Sequence, residues 1–192
     1  DECAFAYRDS RFKREPERFV LTEVSFSTRP GGAPSIRYAE LERSVSPAAS
    51  LEEVRRSVLE LRRRKSMVLD ANDPNRRSAG SFFLNPILSR DEVARVTEQA
   101  LRDGLIAEPR EMPAYPSGDG GTKLAAAWLI EKAGIAKGTR RGAVGVSTRH
   151  ALALVHHGGG TTAELLAFAD EIRARVRERF GVELEREPRL LA

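Results

Sequence analysis

Apolar positions recur at spacings of three and four along several stretches of this chain and alternate with polar positions along others. Leu51, Val54, Val58 and Leu61 form one stripe, the period of an amphipathic helix. Ser50 and Glu53 stand where a capping box opens that helix, and Arg62 to Lys65 place cations at its C-terminal dipole. Ser89 with Glu92 opens a second helix, expected to end near Gly104. Thr161 with Glu164 opens a third, along which Leu165, Phe168, Ile172, Val176 and Phe180 carry the stripe to Gly181. A further helix is expected from about Thr122 to Ala133, with Gly134 as its stop and Trp128 on its core face beside Leu124.

Residues 18–28 alternate through Phe19, Leu21, Val24 and Phe26, with a slip near Thr22–Glu23. They predict a half-buried strand with a bulge. Residues 151–155 (ALALV) predict a short buried strand, and Val182 to Glu185 alternate as a final one. Pro30, Gly31, Gly32 and Pro34 break the chain, and residues 107–121 form a loop rich in Pro and Gly. Residues 70–78 are polar and contain Pro74, which marks a domain boundary. Helices with scattered short strands predict an α+β fold rather than a doubly wound sheet.

Composition narrows the class. Among 192 residues, 41% are hydrophobic and 31% charged, ordinary globular usage that excludes disorder for the whole chain. No apolar run reaches the roughly 18 residues of a membrane span, and no basic-then-apolar start predicts a signal peptide. The chain opens on Asp1-Glu2-Cys3 and reads as the middle of something longer. The single cysteine, Cys3, cannot form an internal disulfide, which makes the cytoplasm the default compartment. The net charge of +4 is mild, and basic residues alternate with acidic ones, as from Arg173 to Arg179, which describes solvated helix faces. Adjacent His156 and His157 on a strand point to opposite faces, so no metal site is expected there.

Four segments carry a resemblance. They are Tyr7–Lys13 (YRDSRFK); Gly80-Ser81-Phe82-Phe83 with Asn85-Pro86; Tyr115-Pro116 followed by Gly121–Ile130 (GTKLAAAWLI); and Leu184–Arg189 (LEREPR). In this order and spacing the chain resembles the UDP-N-acetylenolpyruvoylglucosamine reductase family, C-terminal part. The resemblance implies the second half of an FAD-binding domain over 1–68, followed by a mixed α/β UDP-sugar-binding domain over 69–181 and a C-terminal strand, 182–192, carrying the catalytic Glu. It also implies reduction of UDP-N-acetylglucosamine enolpyruvate to UDP-N-acetylmuramate, with FAD and NADPH as cofactors. The glycine-rich phosphate-cradling loop of the family is absent from these residues.

Site residues follow from the same resemblance. Ser81 matches the proton donor, standing two residues after Ala79 and so outside any G-x-S-x-G elbow. Arg8 matches a cation beside the substrate carboxylate, where enolate charge develops. Glu187 matches the catalytic Glu two residues before Arg189, with Glu185 as its competitor and Pro188 as a departure from the pattern. Lys65, Asn85, Tyr115, Lys123 and His150 match substrate-holding positions. Lys123 is expected in the first turn of its helix, where amide groups favour anions. Tyr38 matches the loop tyrosine of the tyrosine-loop subtype, which closes over bound substrate. Tyr7, Arg8, Gly80 and Arg189 match positions at the cofactor.

The small-molecule substrate is the expected partner, with no nucleic acid and no membrane, and the intact protein is expected to be a monomer. A catalytically silent UDP-sugar-binding module is the second reading. A basic nucleic-acid-binding domain ranks below it, because only 6% of residues are aromatic and most of those fall on core positions.

Overall fold

A computed structural model describes residues 2–6, 9–118 and 120–190. Contacts divide the chain into two compact units, one ending at Ser35 and the other beginning at Ile36.

In the first unit, Ser10 caps a short helix, α1 (Arg11–Arg14), by accepting from the Lys13 amide. Phe12 packs edge-on against Phe19, with ring centroids 5.4 Å apart. The guanidinium groups of Arg11 and Arg18 lie over Phe19 at 5.2 and 5.4 Å. The strand expected over 18–28 is not formed: residues 19–29 enter no helix or strand. Val20 is 88% and Phe26 85% exposed. Alternation creates a face, but a strand also needs a neighbour for its backbone groups, and the described residues of this unit supply none.

The second unit is α+β. Two short helices begin it: α2 (Ala39–Glu42) and α3 (Leu51–Arg64), the latter opened by the Ser50–Glu53 capping box. One antiparallel sheet joins β1 (Ser78–Ser81), β5 (Arg140–Arg141), β6 (Val144–Val146) and β7 (Ala153–His156) in the order β1-β7-β6-β5. A second joins β2 (Ile87–Leu88), β3 (Ala114–Pro116) and β4 (Thr122–Leu124) in the order β2-β4-β3. Helices α4 (Arg90–Arg102), α5 (Ala126–Lys132) and α6 (Thr162–Phe180) complete it. Both remaining capping boxes, Ser89–Glu92 and Thr161–Glu164, are present, and Gly181 ends α6 in the left-handed conformation at φ +65°.

The α6 stripe is the spine of the core. Phe168, Ile172, Val176 and Phe180 are buried, against Val144 and Val146 of β6, Leu129 and Ile130 of α5, and Val96 and Ala100 of α4. Trp128 is partly buried against this core, with its ring centroid 5.8 Å from that of Phe180.

Two expectations need correction. The helix expected from Thr122 begins at Ala126, and Thr122–Leu124 is strand β4 instead. The Ser117 amide donates to the Gly121 carbonyl at 2.9 Å, closing a hairpin whose strands use part of the expected 107–121 loop. β-branched Thr122 suits that pairing better than a helix start. The expected strand over 182–185 is reduced to an isolated bridge between Phe83 and Arg186. Its alternation holds, however: Val182 and Leu184 are buried while Glu183 and Glu185 are exposed.

Candidate functional site

The site grows from the end of α3. Its last turn closes with two hydrogen bonds, Ser66 N–H to the Arg63 carbonyl at 3.0 Å and Met67 N–H to the Arg62 carbonyl at 2.8 Å. This is the Schellman pattern, which places its left-handed residue just past the cap, usually a glycine. Here that residue is Ser66, at φ +57°. Lys65 is therefore the helix cap, aimed by a turn of fixed shape. Its ammonium pairs with the Glu40 carboxylate of α2.

Beyond the turn, a cavity of about 260 Å³ opens. Its lining includes Arg62, Lys65, Ser66, Asn75, Arg76, Gly80 and Ser147. Three of these carry positive charge, and none carries negative charge, which suits a phosphorylated ligand. Asn75 and Ser147 are 2% and 1% exposed. The Asp73 carboxyl is pushed up by burial. Hydrogen bonds from the Asn75 amide, the Ser66 hydroxyl and the Asn75 side chain outweigh that and hold it below its ordinary range.

Gly80 lines the cavity, and Ser81 follows it at the end of β1. Gly80 has φ +81°, and nothing stands within 4 Å of where a Cβ would lie. The backbone thus presents an open face at the residue before Ser81. Ser81 pairs with Ala153 of β7, itself a cavity residue. The C-terminal segment then crosses the following residues: the Leu84 amide donates to the Glu185 carbonyl at 2.9 Å, and the Glu187 amide to the Phe82 carbonyl at 3.0 Å. Ser81 and Glu187 therefore end adjacent backbone segments.

His150 is half-buried in the turn before β7, where its Nδ1 accepts from the Leu152 amide at 3.2 Å. Burial depresses its pKa, and the positive charges of Lys65 and Lys137 depress it further. Tyr115 and Lys123 are direct partners across β3 and β4, so the second sheet brings these two together. Lys123 stands in a strand, so the anion-binding argument from a helix start does not apply to it. Asn85 holds two elements together: its Oδ1 accepts from the Ala126 amide at 2.9 Å, tying the segment after β1 to the start of α5. Tyr38 is 76% exposed at the start of α2. Arg189 is exposed on the C-terminal segment. Tyr7 and Arg8 lie outside the described residues. His156 is held by its own loop, its Nε2 lying 3.0 Å from the Gly160 carbonyl and 3.1 Å from the Gly160 amide.

Sequence reasoning missed Glu40, Arg62, Asn75, Arg76 and Ser147. The polar run 70–78 reads as a linker. Its signal was the Asx chemistry: the Asp73 carboxylate accepts from the Asn75 amide at 2.8 Å, and that of Asp70 from the Asn72 amide at 2.9 Å. These turns fold the segment against the cavity.

These features define an α+β domain with a cation-lined cavity. The family model for UDP-N-acetylenolpyruvoylglucosamine reductase, C-terminal domain, matches residues 73–191. The chain belongs to this family. It is 52% identical over 192 residues to the UDP-N-acetylenolpyruvoylglucosamine reductase of Thermobifida fusca, covering 97% of this chain and 53% of that protein. It is 47% identical to the Streptomyces coelicolor protein of the same name, over 97% of this chain and 50% of that one. With the Xanthomonas euvesicatoria protein of that name it shares 42% identity, over 99% and 52%. The chain thus spans about half the length of the curated relatives it matches.

Proposed function

We propose that this chain carries the substrate side of an NADPH-dependent flavoprotein that reduces UDP-N-acetylglucosamine enolpyruvate to UDP-N-acetylmuramate, a step of peptidoglycan precursor synthesis. One observation carries the reading: the backbone pairing of 185–187 with 82–84, which sets the segment of Glu187 against the one that follows Ser81 and the cavity residue Gly80.

The roles divide as follows. When bound, FAD would supply the hydride chemistry for the enolpyruvyl double bond, with NADPH as its reductant. The open face at Gly80 fits a planar ring system against the backbone, and Arg189 is the other described residue assigned to the cofactor. Ser81 delivers the proton to C2. Glu187 orients that end of the site. Lys65 attracts the diphosphate, with His150 beside it, and Tyr115 and Lys123 extend the substrate surface along the second sheet. Asn85 adds a substrate contact through the part of its amide that Ala126 does not use. Tyr38 serves as the loop tyrosine of its subtype, closing over substrate from the start of α2.

In functional terms, residues 1–68 belong to the flavin side, 69–181 to the UDP-sugar and 182–192 to the catalytic strand. No helix of the described residues is long and apolar enough to cross a membrane. The cytoplasm, a small-molecule partner and a monomeric state complete the proposal.

A second reading rests on the match of residues 73–191 to the C-terminal domain alone: these residues bind the UDP-sugar without turning it over. Calorimetric titration of the chain with UDP-N-acetylglucosamine enolpyruvate, followed by an assay of NADPH oxidation with added FAD, separates the two. Binding with turnover supports the first reading and binding alone the second. Absence of binding overturns both.

A further inference from the structure

Resting on the functional reading above, we infer that Asn75 is the positioning residue of the cavity: it locks the Lys65-bearing turn of α3 to the turn that carries His150. The carboxamide spans the two. Its Nδ2 donates to the Thr148 hydroxyl at 3.0 Å, to Asp73 Oδ1 at 3.2 Å and to the Ser66 hydroxyl at 3.3 Å. Its Oδ1 accepts from the Thr148 amide at 2.9 Å and lies 3.4 Å from the Thr148 hydroxyl. Only 2% of Asn75 is exposed. A buried amide satisfied on both its donor and acceptor ends fixes a unique arrangement of whatever it joins.

What it joins is strained on one side. Ser66 holds the left-handed conformation at φ +57°, where a glycine is usual and a side chain is disfavoured. Such a turn persists only where its surroundings over-determine it. Asn75, together with Asp73, grips the Ser66 hydroxyl. Lys65 immediately precedes this residue, so the grip sets where the ammonium stands. On the other side, Thr148 lies between Ser147, a cavity residue, and Arg149, whose guanidinium reaches back to the Arg63 carbonyl at 3.5 Å. His150 follows. Loss of the carboxamide would free the two walls that hold Lys65 and His150 to drift apart. Asn75 itself carries no charge and transfers no proton, so its contribution is geometric.

The test is a double-mutant cycle read by calorimetry on the full chain with UDP-N-acetylglucosamine enolpyruvate. Asn75→Ala is expected to weaken binding by about tenfold. Lys65→Ala is expected to weaken it by a similar factor in the native background but by under about threefold in the Asn75→Ala background. A merely structural asparagine would leave the Lys65 effect undiminished, which overturns the inference, as does wild-type affinity in a folded Asn75→Ala chain. Should Asn75→Ala fail to fold, Thr148→Val removes only the hydroxyl contact and is put through the same cycle with Lys65→Ala under the same criterion. Native chain that does not bind the ligand overturns the functional reading and this one with it. Native chain that binds, with additive variants, overturns this one alone.

Discussion

The amide of Glu187 donates to the carbonyl of Phe82 at 3.0 Å, and with that bond the far end of the chain closes one side of the site. Phe82 is buried beneath it, as are Phe83 and Leu184 nearby. The pairing is thus anchored by apolar burial on both segments, while Ser81 and Glu187 stay at its edge, one partly buried and the other exposed. In the proton-donor role proposed for Ser81, this pairing would hold its backbone in place, as proton transfer at a fixed carbon requires.

The role of Ser81 is checked by separating the two half-reactions. With the chain in catalytically active form, Ser81→Ala leaves reduction of the flavin by NADPH at its native rate. It slows transfer to the enolpyruvyl substrate by a factor on the order of 10² to 10⁴, the usual worth of a positioned proton donor. Stopped-flow absorbance of the flavin measures both steps, and a native rate for the second would remove Ser81 from the chemistry.

Glu40 holds Lys65 by an ion pair at the end of α3. Side chains of this pair are 43% and 36% exposed, so the pair itself contributes at most about 1 kcal/mol. Glu40→Gln releases the lysine and removes a negative charge near the cavity. Affinity for the UDP-sugar is expected to rise by up to about fivefold, with thermal stability nearly unchanged. Weaker binding in Glu40→Gln would instead make the carboxylate a ligand contact.

His150 titrates below its ordinary value because burial disfavours its charge and Lys65 and Lys137 repel it, only partly offset by Glu131. His157 is shifted the same way, by burial and then by Arg140 and His156. Since the folded pKa values lie below the unfolded value of about 6.5, the unfolded chain binds more protons in that range. Stability from these two groups is complete above about pH 6.5 and declines as pH falls toward the folded values. Thermal melts across that window check it, and His150→Asn should flatten the slope. Binding a diphosphate beside Lys65 reverses the bias on His150, so the titration near pH 6 takes up protons. The observed enthalpy should then differ between buffers of different ionisation enthalpy, and identical enthalpies would place the anion elsewhere.

Asn85 accepts from the Ala126 amide, at the start of a helix whose preceding residue, Ala125, offers no side-chain cap. Asn85→Ala is expected to lower stability by about 1 kcal/mol, as loss of a helix cap does. Chemical denaturation measures it. A stability equal to the native chain, with weakened substrate binding, would assign Asn85 to the ligand alone.

Much of this protein was legible in its linear order. Three capping boxes and the α6 stripe mark helices whose hydrogen bonds and apolar faces are local, so spacing alone determines them. The short motifs around Ser81, Tyr115, Lys123 and Glu187 mark the family. Tertiary structure decided the rest. Residues 18–28 alternate like a strand, yet alternation cannot provide the neighbour that a strand requires. Thr122 to Leu124 precede an alanine-rich helix, and pairing with Tyr115 made them a strand. Residues 70–78 look like a linker because the bonds that tie them to the rest of the fold are distant in sequence: beside its local turn, Asn75 finds Thr148. The cavity, its charge and the meeting of Ser81 with Glu187 arise from long-range pairings of this kind, whose partners no local pattern specifies.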